Sequence, residues 1–173
     1  QLNDVGLFSA GGCGVIVAML GKHMIFAHAG RDCVIDRQRV LLGTASRPVK
    51  SVVDNIVSTM LKISDGLDVQ NMHTWVLYSI RPENFLHQYN DEEHGTYNKN
   101  LVHYLKDEKL LAGTRLDKDG LGFGLDIPVI IMEQFKQHGV PNENISLDCA
   151  YIDKQLPTTR NGDGKGRYLV AIV

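Results

Sequence analysis

The sequence predicts an α+β fold: a mixed central β-sheet in sandwich-like layers with flanking helices. Three observations carry this expectation. Strand-like and helix-like segments are interspersed without the regular spacing of a βαβ protein. Residues 15–20 and 23–27 are short runs, apolar on both faces, around Gly21-Lys22, as expected of strands inside a covered sheet. Residues 46–63 repeat apolar side chains at helical spacing. The chain has 173 residues, enough for one domain with its own core.

The elements follow in order. Gly21-Lys22 is a two-residue loop with glycine first, the signal for a type II′ hairpin joining the first two apolar runs. In 46–63, Val49, Val52, Val53, Ile56, Val57, Met60 and Leu61 form one apolar stripe, with Ser46 as N-cap, Pro48 in the first turn and Asp65-Gly66 as the stop. Residues 73–80 read as a strand ended by Arg81-Pro82. Residues 88–98 read as a polar loop, 101–111 as a helix, and 113–124 as a glycine-rich turn. A second well-marked helix runs over 127–138, with Asp126 as cap, Pro128 in its first turn and Gly139 as its left-handed stop. Residues 146–152 and 167–173 read as strands joined through "NGDGKG".

The hairpin places two reactive groups together. With Leu20 opposite His23, counting outward brings Cys13 opposite Gly30, so His28 is a diagonal neighbour of Cys13 on the same face. Diagonal neighbours lie roughly 7–8 Å apart at the backbone, close enough for leaning side chains to meet. A one-residue change in the loop would put them on opposite faces. A thiol beside an imidazole is the arrangement of a cysteine nucleophile with its base. Gly11, Gly12 and Gly14 flank Cys13 and offer bare main chain, whose N–H groups suit an oxyanion hole. The competing reading is a buried cysteine and a satisfied core histidine.

Composition narrows the alternatives. Hydrophobic residues make up 43% and charged residues 22%, with a net charge of -2, so nucleic acid and anionic membrane surfaces are not expected partners. No apolar run reaches the roughly 18 residues of a membrane span. The three cysteines (Cys13, Cys33 and Cys149) are too few for a disulfide scaffold and include no C-x-x-C pair. "NGDGKG" lacks both the ending of a phosphate loop and the closing acid of an EF-hand.

"GGCGVIVAMLGKHMIFAHAG" (11–30) resembles the Cys-to-His hairpin of two related groups. These are the cytotoxic necrotizing factor toxins, which are glutamine deamidases, and the laccase-domain (YfiH-like) proteins. His28-Ala29-Gly30 matches the "HAG" of the second group. Residues 125–152 and 158–173 are similar to its C-terminal helix, Cys-x-Tyr strand and closing Arg–turn–Gly-Arg–strand. The helix at 48–63 is similar more loosely, and about 85–122 is not covered. The sequence departs from both patterns. The laccase-domain metal is held by a histidine well upstream of the cysteine, yet only twelve residues precede Cys13 and none is histidine. The toxins' Ser-Gly-Cys is Gly11-Gly12-Cys13 here.

The resemblance implies a single catalytic domain spanning 1–173, excised from a longer chain. Its implied activity is that of a cofactor-free thiol hydrolase, a protein-glutamine deamidase of toxin or effector type, with Cys13 as nucleophile and His28 as base and then acid. The implied partner is a target protein presenting a glutamine, with small GTPases as the analogy, and a toxin-like protein would be secreted or delivered into a host cytosol. The alternatives are a laccase-domain enzyme acting on purine nucleosides, with zinc or copper at Cys13 and His28, and a non-catalytic binding domain. His23, His73, His87, His94, His103 and His138 are possible substitutes for the absent ligand. Arg160 and Arg167 are implied to face the pocket and hold an anion. Asp32, Asp36, Asn3 and Asp4 are read as turn or surface residues, with orienting His28 as the third member of a triad the competing reading. Cys33 and Cys149 are read as structural.

Overall fold

The computed structural model describes residues 6–10, 13–42, 51–116, 119–148, 150–151 and 168–172, with backbone alone for the first and last of these segments. The expected α+β architecture is present. A four-stranded mixed sheet is built from β2 (Gly14–Leu20), β3 (His23–Ala29), β4 (His73–Leu77) and β8 (Ile145–Ser146), in the order β3-β2-β4-β8. Its first three strands are antiparallel to their neighbours, and β8 runs parallel to β4. A separate antiparallel pair joins β1 (Gly6–Ala10) to β9 (Tyr168–Ile172). A third, three-stranded sheet contains β5 (Leu86–Gln88), β6 (Thr114–Leu116) and β7 (Gly122–Leu125) in the order β5-β7-β6.

The hairpin register is the expected one, from Leu20 opposite His23 to Gly14 opposite Ala29. Gly21 has φ +59° while Lys22 stays out of the left-handed region, the pattern of a type II′ turn. The covering differs between the two strands. β2 is central and its residues are buried or nearly so, whereas β3 is an edge strand and leaves Met24 and His28 exposed. The expectation that both strands are covered is therefore corrected: apart from Ala29 the β3 side chains are half-buried or exposed, and among the described residues β3 has a strand neighbour on one side.

Helix α3 (Val52–Ile63) buries Val53, Ile56, Val57 and Met60 and packs on β2 and β3. It starts later than expected. Ser51, not Ser46, is the cap: the Asp54 N–H donates to Ser51 Oγ at 3.2 Å and the Ser51 N–H to Asp54 Oδ2 at 2.7 Å, a reciprocal capping box. Residues 43–50 lie outside the described residues. Helix α5 (Ile127–Gln137) has the expected Asp126 cap, donated to by the Val129 N–H at 3.3 Å, and the left-handed Gly139 at φ +89°. It packs against β4.

Elsewhere the polar and glycine-rich segments hold more structure than expected. Helix α4 is Gly95–Asp107, not 101–111, and begins inside the stretch read as loop. Asp91 Oδ1 accepts the N–H groups of Glu93 and His94, turning the chain into it, and the buried Asn98 donates to the Gln88 carbonyl at 2.7 Å. Residues 113–124 contribute β6 and β7 rather than a turn alone. Gly122 and Gly124 are required there because a Cβ would fall 2.6 Å from the His87 carbonyl oxygen and 2.4 Å from that of Pro82. The strand at 73–80 ends at Leu77, since Tyr78 turns left-handed at φ +59°. The strand expected at 146–152 is reduced to β8 and an isolated bridge between Ser79 and Tyr151. The strand expected at 167–173 is present as β9, paired with β1, and "NGDGKG" lies outside the described residues.

Asp126 has a second task. The Tyr151 hydroxyl donates to both its carboxylate oxygens, at 2.8 and 2.9 Å, in a site where Asp126 is 2% exposed. Burial, then this hydrogen bond, pushes the Tyr151 phenol well above its ordinary value. The folded state thus favours the neutral phenol, so this contribution to stability is complete below about pH 10 and is lost as pH rises above it. Urea melts should show a stability that declines above pH 10 more steeply in the native chain than in Tyr151→Phe. Asp126→Ala should cost about 1–3 kcal/mol at neutral pH, because cap and phenol partner go together.

Candidate active site

The site forms where the hairpin runs out. Gly30 follows β3, and its carbonyl accepts the N–H groups of Cys33 at 3.0 Å and Val34 at 3.2 Å, which winds the next residues into the short helix α1 (Arg31–Val34). The same Gly30 has no room for a side chain. A Cβ there would stand 2.8 Å from His28 Cε1, and 3.4 Å from both His28 Nε2 and Cys13 Sγ. Cys13 sits one residue before β2. The thiol and one edge of the imidazole therefore converge on a single point above bare main chain, as the hairpin register requires.

The other edge of His28 meets a second thiol: Cys33 Sγ lies 3.7 Å from Nδ1. Cys33 is exposed, Cys13 is half-buried, and neither is in a disulfide. Cys33, read from the sequence as structural, makes this contact with His28. Sequence reasoning missed it because the i+5 offset from His28 to Cys33 matches no strand or helix period; only the turn at Gly30 closes it. His28 and Cys33 open into a cleft of about 350 Å³ shared with Asp32, Ile35, Arg37, Gln38, Val52 and Asn55.

The carboxylates of Asp32 and Asp36 are engaged in the turn after the hairpin and on nearby groups. Asp32 holds Arg31 Nε at 3.1 Å and receives the Tyr97 hydroxyl at 3.4 Å. Arg31 also lies over the Tyr97 ring, 4.9 Å from its centre. Burial pushes the Tyr97 phenol up to about 12. Asp36 is buried and caps helix α2 (Arg37–Leu42), accepting the Arg39 N–H at 3.0 Å. Asn3 and Asp4 lie outside the described residues.

Of the glycines, Gly14 is buried in β2 and its open side is filled by Ser79, whose Cβ is 3.3 Å from where a Gly14 Cβ would be. Gly11, Gly12, Cys149, Arg160 and Arg167 lie outside the described residues.

The metal centre implied by the laccase-domain resemblance needs a third donor. Among the described residues no three His, Cys, Asp or Glu side chains come together as a metal site. His23 and His73 stand at the far end of the sheet, opposite Leu20 and Met19. His87 is buried with Nδ1 3.0 Å from the Phe85 carbonyl, and His138 is paired with Asp54 at 2.7 Å. His94 is beside Asp91 at 3.4 Å. His103 lies on α4, lining a different hollow with Arg39 and Tyr104. The described donors do not fit a three-ligand centre of that kind.

No helix of the described residues is long and apolar enough to cross a membrane. No family model and no curated protein matches the sequence. Solved structures do match. The hypothetical protein YfiH of Bacillus licheniformis superposes over 96% of this chain with a TM-score of 0.66 at 13% identity. YlmD of Geobacillus stearothermophilus does so over 96% with a TM-score of 0.66 at 17% identity. The DUF152 protein NMB0706 of Neisseria meningitidis matches over 96% with a TM-score of 0.61 at 11% identity. The chain spans 56%, 56% and 59% of these proteins. The Cys13–His28 hairpin, the helices around it and these superpositions together show a chain with the YfiH-like fold.

Proposed function

We propose that the chain is a thiol-dependent hydrolase that releases ammonia from an amide or amidine carbon, with purine nucleosides as its first substrate class. One observation carries the chemistry: Cys13 Sγ and His28 Nε2 each lie 3.4 Å from the same point above Gly30. The fold supports the nucleoside class, because the resemblance to laccase-domain proteins implies it. The cleft has a size ordinary for a small ligand. Ile35 and Val52 give it apolar walls, while Gln38 and Asn55 give hydrogen-bonding groups suited to the edge of a base.

In this reading Cys13 passes its proton to His28 Nε2 and its sulfur bonds to the carbon bearing the amino group. His28 returns the proton as the carbon–nitrogen bond breaks and ammonia leaves. Water then attacks the thio-intermediate, with His28 taking its proton, and the carbon–sulfur bond breaks to restore the Cys13 thiol. Main-chain N–H groups around Gly11, Gly12 and Gly14 would hold the charge built up on the heteroatom, and Arg160 and Arg167 an anionic part of the substrate.

A second reading keeps the same chemistry on a glutamine of a target protein, a small GTPase by analogy. It is favoured by the donor set, which matches a Cys–His pair better than a metal centre. Assays of ammonia release from adenosine, and from glutamine-bearing protein, separate the two. Cys13→Ser and His28→Ala should each bring release to background with the fold retained by circular dichroism. Full activity in Cys13→Ser, or activity restored only by added zinc or copper, would overturn the thiol mechanism. Gly30→Ala should lower turnover roughly 100-fold, since its methyl group would displace the His28 ring by the order of an ångström.

A further inference from the structure

We infer that Cys33 is the positioning residue of His28, occupying the place behind the imidazole that a carboxylate fills in a serine or cysteine triad. The inference rests on the proposed role of His28 and adds what holds it. Nδ1 is 3.7 Å from Cys33 Sγ, while Nε2 and Cys13 Sγ each lie 3.4 Å from where a Gly30 Cβ would stand. Neither Asp32 nor Asp36 competes, because one is bound to Arg31 and Tyr97 and the other caps α2.

Cys33 is not a wandering surface side chain. Its N–H is tied to the Gly30 carbonyl. The next residue, Val34, is fully buried, and its carbonyl accepts the Gln134 Nε2–H of α5 at 2.7 Å. Ile35 is buried as well. The single turn of α1 is thus anchored from the hairpin on one side and from the core on the other, and the thiol between them is presented to His28.

The tautomer decides the chemistry. If the Cys33 S–H donates to Nδ1, Nε2 carries a hydrogen toward Cys13 and cannot take its proton. If Nδ1–H donates to the Cys33 sulfur, the Nε2 lone pair faces Cys13 and the ring works as a base. The role proposed for His28 as a base requires the second arrangement. A sulfur acceptor is weaker than a carboxylate, so its removal costs less than the roughly 10⁴-fold of a serine protease that loses its aspartate.

The test is long-range ¹⁵N–¹H spectroscopy of His28 on the native chain and on Cys33→Ala, Cys33→Ser and Cys33→Asp, with site-resolved alkylation of Cys13 by iodoacetamide at pH 7. The native ring should show the Nδ1–H form, Cys33→Ala should lose it, and Cys33→Asp should restore it. Cys13 alkylation should fall by about tenfold in Cys33→Ala, the lower end of what partners behind a functional imidazole contribute, and recover in Cys33→Asp. An unchanged His28 spectrum in Cys33→Ala, with unchanged Cys13 alkylation, overturns the inference. These readouts need no substrate. A native protein that releases no ammonia but shows the tautomer response defeats the proposed reaction and leaves the role of Cys33 standing.

Discussion

The structure depends at its reactive end on an atom that is not there. Gly30 lacks a Cβ, and the vacant position is bounded by the Cys13 thiol and the His28 ring. Its φ of -74° is open to any residue, so the requirement is steric and not conformational. This differs from Gly21, where the left-handed backbone of the turn demands glycine and a Cβ would also strike Leu67. One glycine sets the register of the hairpin, and the other, at its opposite end, lets that register bring two side chains into reach.

The surrounding packing serves the same end. β2 is paired on both sides and its interior residues join the main core with α3 and α5, so the strand carrying Cys13 is fixed. β3 is paired on one side only, and His28 near its end is open to the cleft. An edge strand is ordinarily a liability. Here the edge gives a ligand access to an imidazole whose backbone stays hydrogen-bonded to a rigid neighbour. The short α1 then turns across the end of the hairpin, and its buried Val34 keeps the turn from fraying.

What the sequence revealed follows from period and punctuation. The Gly21-Lys22 loop fixed which side chains share a face, so Cys13 and His28 were legible as a pair. Helices α3 and α5 were legible from their apolar stripes and from Asp126, Pro128 and Gly139. The third sheet was not. β5, β6 and β7 have three, three and four residues, too few for alternation to show, and their glycines, which read as turns, are there because neighbouring carbonyls leave no room for a Cβ. Cys33 escaped for a related reason. Its approach to His28 depends on a reversal at Gly30 and a single helical turn, and neither leaves a repeating pattern.

The division of labour in the chain bears on how chemistry can differ among proteins of this fold. The fold is shared with these structures at 11–17% identity, and in this chain the hairpin with α3 and α5 holds Cys13 and His28 in place. They settle where the thiol and imidazole stand, and nothing more. The reactivity of an imidazole depends on what occupies its other nitrogen, and here that group comes from residues 30–38, a short connection whose residues also line the cleft. The exposed positions of that connection, Asp32, Cys33, Arg37 and Gln38, can change without touching the core, whereas Gly30, Val34, Ile35 and Asp36 are buried. In the proposed reading, a change of partner behind His28 at those exposed positions is therefore cheap for the fold and decisive for the site, so specificity would lie in the turn after the hairpin and not in the hairpin itself.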